Sequence, residues 1–254
     1  MYNLQLNLKV YFASDLHLGV PNLASSQARE RRFVQWLDAI KTDATAIYIL
    51  GDLFDFWFEY HTVVPKGYVR VLGKLAELRD KGIPIYFFTG NHDLWMFGYF
   101  EQELGIPVHH KPLLTQIDGK TFLIGHGDGL GPGDLKYKLV KKYLFTNPIC
   151  QFLLRWLHPD IGLGIANFFS RRSRLANGTS DEHFLGNDRE WLIQYAQRRL
   201  KTENIDFFIF GHRHLPLDIN INQSRYVNTG DWIKYNTYAI YENQQLRLCH
   251  FETT

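Results

Sequence analysis

Through the first hundred residues, short apolar runs alternate with stretches in which apolar positions recur every three or four residues. Lys9 to Ala13 reads as a strand, Phe33, Trp36, Leu37 and Ile40 recur at helical spacing, and Ala46 to Leu50 reads as a second strand. A βαβ unit follows. Val71, Leu75 and Leu78 mark another helix, which Gly82 ends before a third strand at Ile85 to Phe88. Strands separated by helices predict a parallel sheet.

After Gly105 the pattern changes. Leu113 to Ile117 and Thr121 to Ile124 flank Asp118-Gly119, a hairpin turn signal that opens a second sheet. A helical stretch around Asp188 to Leu200 precedes a strand at Phe207 to Phe210, and short strands around Asn222-Gln223 and Glu242-Asn243 predict a C-terminal β meander. Residues 129–186 fit neither sheet. They are basic, aromatic and broken by Pro132, Pro148 and Pro159, and read as a mostly helical insertion between core segments 1–128 and 187–254.

The length of 254 residues suits one large α/β domain carrying such an insertion. A hydrophobic content of 45% with 21% charged residues excludes a disordered or fibrous chain. The net charge of +2 argues against general coating of nucleic acid, but it hides an asymmetry. Between Lys136 and Arg174 eight basic residues, among them Arg171 and Arg174, stand against one acid, Asp160, so the rest of the chain is mildly acidic. The basic segment is interleaved with apolar side chains such as Phe152, Trp156 and Phe168, which is not the layout of a nucleic-acid groove. Cys150 and Cys249 lack metal-ligand spacing and read as free thiols. Met1 to Gly19 has no basic start followed by a long apolar stretch, so no signal peptide is expected. The charge-free run from Tyr143 to Leu154 is too short to span a bilayer, which takes about 20 apolar residues.

Five short blocks fall where strands are expected to end: Asp15-Leu16-His17, Gly51-Asp52-Leu53-Phe54-Asp55, Gly90-Asn91-His92-Asp93, Gly125-His126-Gly127-Asp128 and Gly211-His212-Arg213-His214. In α/β sheets, ligand sites gather beyond the carboxyl ends of the strands, so blocks distant in sequence can converge there. Their donors are carboxylate, amide oxygen and imidazole without thiolate, a set suited to Mn²⁺, Fe²⁺ or Zn²⁺. Asp15, His17, Asp52, Asn91, His126, His212 and His214 are too many for one tetrahedral ion. Two ions sharing a carboxylate, typically about 3.5–4 Å apart, would use them all.

In content and order the five blocks resemble the calcineurin-like metallophosphoesterase superfamily, with its D-x-H, G-D, G-N-H-[DE], G-H and G-H-x-H signature. The resemblance spans Asp15 to His214. It implies a four-layer α/β/β/α sandwich with a helical lid insertion. By the same resemblance, Asp15, His17, Asp52 and His214 hold one divalent metal ion, Asp52, Asn91, His126 and His212 hold the other, and Asp52 bridges. A metal-bridging hydroxide is then the nucleophile, and His92, beside the ligand Asn91, protonates the leaving oxygen or stabilises the transition state. Asp55 is the carboxylate expected to orient His92.

Within the superfamily the chain looks most like the UDP-2,3-diacylglucosamine pyrophosphatases of lipid A synthesis. Tyr48 to Phe54, His126-Gly127-Asp128 with Asp134 and Tyr137, an insertion containing Ser173 and Asn177, and Leu248 to Phe251 carry that likeness. It implies a Mn²⁺ enzyme that releases UMP from a nucleotide-linked acylated sugar, with a lid that holds the acyl chains. Asn91, His92, Asp134, Ser173, Asn177 and His212 would contact substrate. A cytoplasmic protein in peripheral contact with the inner membrane face is implied. His92 stands where those enzymes commonly have Arg, and no lysine follows Asn177 closely, Ser180 and Asp181 occupying that region. Both departures favour an alternative, a phosphoesterase acting on a small soluble ester. A catalytically silent scaffold would be expected to have lost ligands, and none is lost.

Overall fold

Alternation in the first strand produces two buried faces. In β1 (Lys9–Ala13), Val10 and Phe12 point to one side and Tyr11 and Ala13 to the other, and all four are buried. The computed structural model describes residues 8–133, 135–165 and 183–252. Tyr11 and Ala13 meet α1 (Leu23–Ile40), whose Phe33, Trp36, Leu37 and Ile40 form the buried stripe expected from their spacing. Asn22 caps this helix by accepting a hydrogen bond from the Ser25 backbone N–H at 2.9 Å. The following elements are β2 (Ala46–Ile49), α2 (Val69–Asp80), β3 (Ile85–Phe88), α3 (Tyr99–Leu104) and the two-residue β4 (Val108–His109).

The second half contributes β5 (Leu113–Ile117) and β6 (Lys120–Ile124) before the insertion. It then supplies α6 (Trp191–Arg199), β7 (Phe207–Phe210), β8 (Pro216–Ile221), β9 (Ser224–Thr229), β10 (Thr237–Glu242) and β11 (Gln245–His250). One sheet runs β11-β10-β1-β2-β3-β4 and the other β5-β6-β7-β9-β8. β1 to β4 are parallel neighbours, as are β6, β7 and β9. Three apolar layers separate four structural ones. The first lies between the first sheet and α1 to α3, the second between the sheets, and the third between the second sheet and α6. The fold is therefore the α/β/β/α sandwich.

The C-terminal strands do not form one meander. β8 and β9 stay in the second sheet, whereas β10 and β11 cross to the first, β10 lying antiparallel to β1. Trp232 accounts for the crossing. It lies in the β9–β10 connection and is fully buried on the far side of the first sheet, 4.9 Å from the Phe33 ring and 5.4 Å from Trp36, which anchors that connection against α1.

Between β6 and α6 the described residues 135–165 are largely helical. They comprise α4 (Leu135–Val140), a π turn over Lys141–Phe145, α5 (Pro148–Trp156) and a helical stretch over 159–165. Asn147 caps α5 and Pro148 occupies its first turn. Cys150 and Cys249 are both free thiols. Among the described residues no helix is long and apolar enough to cross a membrane.

Phe122 is fully buried between the sheets, with Phe207 at 4.8 Å and Tyr241 at 5.0 Å, whereas Leu114 in the adjacent strand is 47% exposed. Denaturant unfolding is expected to show a loss of about 3–5 kcal/mol for Phe122→Ala. Leu114→Ala is expected to stay within about 0.5 kcal/mol of the parent.

Candidate metal centre

The turns after five strands place the chemistry. Asp15 and His17 follow β1, Asp52 and Asp55 follow β2, Asn91 and His92 follow β3, His126 follows β6, and His212 and His214 follow β7. All five are strands of the parallel sets, so their carboxyl ends open toward one edge of the sandwich. The turns are sharp. Asp15, His17, Asp52, His212 and His214 have φ of 56°, 45°, 51°, 72° and 50°, a left-handed backbone that non-glycine residues hold at a cost of about 1–3 kcal/mol each. Such strain persists where surrounding bonds impose it. The Asp15 N–H donates to the Gly51 carbonyl at 3.1 Å, His17 N–H to the Asp52 carbonyl at 2.9 Å, and His212 N–H to Asp15 Oδ2 at 2.9 Å. Gly90 is required by proximity, since a Cβ there would lie 2.1 Å from Asp52 Oδ1.

Three side-chain groups result, each with its ligand atoms within 4.8 Å of one another: Asp15, His17 and His214; Asp15, Asp52 and His126; and His17, Asp55 and His92. Asp52 Oδ2 lies 3.6 Å from His17 Nε2 and 3.3 Å from His126 Nε2, which puts its carboxylate between the first two groups. The Asn91 side-chain oxygen is 3.3 Å from His126 Nε2. His212 lies outside the three groups, its ring 5.1 Å from that of His126 and flanking the second one.

The donor set fits divalent cations. Asp15 Oδ1 is buried without a hydrogen-bond partner, yet lies 3.5 Å from His214 Nε2 and 3.7 Å from His17 Nε2, and these two nitrogens approach to 3.1 Å. An orphaned carboxylate oxygen converging with two imidazole nitrogens is the arrangement a cation satisfies. The electrostatics agree. Burial alone would strip the proton from His17, but Asp15, Asp55 and Asp52 outweigh it and push the imidazole up to about 10. His126 is likewise pushed up to about 10 against its burial, chiefly by Asp52. The buried carboxylates thus demand positive charge at these rings, and a divalent cation meets that demand while displacing the protons. Burial and the adjacent His126 take His212 down to about 4, leaving a neutral ring with a free lone pair.

His92 is oriented differently from expectation. Its Nδ1 donates to the Asp55 backbone carbonyl at 2.8 Å, while the Asp55 carboxylate is 3.6 Å from His92 and closer, 3.4 Å, to His17 Nδ1. A carbonyl only accepts, so His92 carries its hydrogen on Nδ1 and titrates at Nε2. Burial lowers its pKa, with the Asp52 charge opposing.

Two further carboxylates support the centre, and sequence reading assigned neither a role. Asp93 is fully buried and accepts from the backbone N–H groups of Gly90 (2.7 Å), Leu53 (2.8 Å) and Asp52 (3.2 Å), which fastens the β2 and β3 turns together. Burial and the Asp52 charge push its carboxyl up to about 7. Its place as the last residue of Gly90-Asn91-His92-Asp93 was the available signal. Asp231, in the β9–β10 turn, sets one oxygen 3.3 Å from His214 Nδ1. The other oxygen accepts from the N–H groups of Ile233, Lys234 and Tyr235. This is the carboxylate–histidine support common around metal ligands, and no local motif announces it. Asp134, Ser173 and Asn177, together with Arg171 and Arg174, lie outside the described residues.

Residues 8–216 match the calcineurin-like phosphoesterase family. The chain is 40% identical to a UDP-2,3-diacylglucosamine hydrolase of Porphyromonas gingivalis (strain ATCC BAA-308 / W83), over 94% of its length and 96% of that protein. It is 30% identical to a UDP-2,3-diacylglucosamine hydrolase of Yersinia pseudotuberculosis serotype O:1b, over 82% of this chain and 83% of that one. The solved structure of Yfce, a phosphoesterase from E. coli, aligns over 94% of this chain and 91% of that chain, with a TM-score of 0.48 and 17% identity.

Asp231→Asn removes the charge behind His214 while keeping the shape, and calorimetric titration is expected to show cation affinity weakened about 10–100-fold with the fold intact. Gly90→Ala forces the Asp52 carboxylate aside. Its far-ultraviolet circular dichroism is expected to match the parent while calorimetric titration shows weakened cation binding.

Proposed function

Because the chain belongs to the calcineurin-like phosphoesterase family and is a metal-dependent phosphoester hydrolase, we propose that it hydrolyses UDP-2,3-diacylglucosamine at the pyrophosphate, giving UMP and 2,3-diacylglucosamine 1-phosphate. The likeness to named hydrolases of this compound over nearly the full chain supports the reading. The observation that carries it is the surface of the insertion. Leu135, Leu139, Tyr143, Leu144, Ile149, Phe152, Leu153, Trp156 and Ile161 are exposed by half or more, a concentration of apolar side chains that a monomeric soluble surface rarely tolerates. The apolar side chains of α5 face outward and none of its residues is fully buried, so the helices present them instead of closing on each other. Lys142 and Arg155 stand among them, the former 5.3 Å from the Tyr143 ring and the latter 4.3 Å from the Phe97 ring. An apolar face with basic residues suits acyl chains and an anionic membrane surface. This supports peripheral attachment at the cytoplasmic face of the inner membrane.

Asp15, His17, His214 and Asp52 would hold one cation, and Asp52, Asn91, His126 and His212 the other. Two Mn²⁺ ions, when bound, neutralise the pyrophosphate oxygens and acidify a water for in-line attack. The protein's own groups do the rest. Asp93 and Asp231 keep the ligand turns in register, and His92, held through Nδ1 by the Asp55 carbonyl, would in its imidazolium form give the Nε2 proton to the departing phosphate oxygen and be left as the neutral Nδ1–H ring. Asp134, Ser173 and Asn177 are proposed as substrate contacts from the insertion side.

The test compares turnover of UDP-2,3-diacylglucosamine with that of bis(p-nitrophenyl) phosphate by the Mn²⁺-loaded protein. The lipid nucleotide is expected to be the better substrate in kcat/KM by about 100-fold or more, and equal or faster turnover of the soluble ester would overturn the assignment. Chelation is expected to abolish turnover and Mn²⁺ to restore it, and His92→Ala is expected to lower kcat by about 10²–10⁴ without loss of cation binding.

A further inference from the structure

The insertion is tied to the core at points that adjoin the second ligand group. His126 is followed two residues later by Asp128, which is buried and accepts hydrogen bonds from Tyr137 Oη in α4 and from Lys141 Nζ at 2.6 Å. At the other end of the insertion, Glu190 is buried just before α6 and pairs with Arg213, the residue between His212 and His214. The pairing is bidentate, with Arg213 Nε 2.9 Å from Glu190 Oε2 and Nη2 3.0 Å from Oε1. The same guanidinium donates to the His183 carbonyl at 3.0 Å, and Glu190 Oε1 accepts from the Leu185 N–H at 3.0 Å, so the pair also fixes the returning chain. A third tie runs from Trp95, four residues after Asn91, whose indole N–H donates to the Phe145 carbonyl at 2.7 Å.

Asn91, His126 and His212 therefore each stand within four residues of an anchor of the insertion. His214, of the other group, also adjoins Arg213, whereas Asp15 and His17 have their turns fastened to Gly51, Asp52 and Leu53 within the core. With Glu190 buried and Arg213 partly so, removing one partner leaves a largely desolvated charge unpaired, so the pair favours one geometry.

We propose that Asp128 and the Glu190–Arg213 pair are positioning residues that join the helical residues 135–165 and the returning chain at 183–190 to the turns carrying His126, His212 and His214, so that cation occupancy there and order in 135–165 strengthen each other. The coupling is reciprocal, as any linkage between two binding equilibria must be. It rests on the cation grouping described above and not on the identity of the substrate.

Hydrogen–deuterium exchange of peptides within 135–165, measured on the full chain with and without Mn²⁺, tests it together with Mn²⁺ titration by calorimetry. In the parent protein Mn²⁺ is expected to slow exchange in these peptides. Glu190→Gln and, independently, Asp128→Asn are expected to abolish most of that difference and to weaken Mn²⁺ binding by about 10–100-fold. Asp218→Asn, which breaks the remote Arg225–Asp218 pair of the β8–β9 hairpin, is expected to preserve both. A purely structural role would lower the melting temperature without altering the Mn²⁺-dependent difference, and that result overturns the proposal. Two Mn²⁺ bound by the parent with no change in exchange also overturns it while leaving the cation reading intact. Failure of the parent to bind Mn²⁺ overturns both.

Discussion

Two carboxylates buried side by side, those of Asp15 and Asp52, set the terms for the rest of the molecule. Burying an ionised carboxylate without compensation is prohibitive, and here two share one small volume in which backbone N–H groups, the Ser14 hydroxyl and imidazoles are the groups that face them. Positive charge must therefore reside between them, as protons on His17 and His126 or as cations in their place. The surrounding architecture serves that requirement. Parallel strands from two sheets deliver the turns, the left-handed backbone at five ligand positions aims the side chains inward, and Gly90 admits the Asp52 carboxylate where any Cβ would collide. Strain of this kind is a known companion of functional sites.

Much of the layered fold was legible because its layers have distinct periodicities. β1, β5 and β7 coincide with apolar runs in the sequence, and the buried stripe of α1 follows from Phe33, Trp36, Leu37 and Ile40. The C-terminal strands were misread for an identifiable reason. Hairpin signals specify which strands are adjacent but not which sheet they join, and that choice belongs to Trp232, whose indole packs against α1 on the opposite side of the core. The short α3 and β4 carry too few residues to show a period, and both went unanticipated.

The centre was legible for a different reason, since metal ligands need particular donor atoms and glycines flank them. What sequence could not convey was the support behind those ligands. Asp231 lies 17 residues from His214, in another turn, and becomes visible only when the strands bring the two together. Asp55 illustrates the same limit, because its backbone carbonyl rather than its carboxylate holds His92, and no residue type encodes a carbonyl. The helical residues 135–165 carry a second kind of surface. Their exposed apolar and basic residues contrast with the acidic core, and the small net charge of +2 is the residue of that opposition.

In the proposed reading, Asp52 would be shared by two cations held by turns of both sheets. Electron paramagnetic resonance of the Mn²⁺-saturated protein tests it most directly, because two Mn²⁺ ions about 3.5–4 Å apart are spin-coupled. Two equivalents bound with an exchange-coupled spectrum are expected in the parent, collapsing to an isolated Mn²⁺ signal in Asp52→Asn. An uncoupled single-ion spectrum from the fully loaded parent would contradict it.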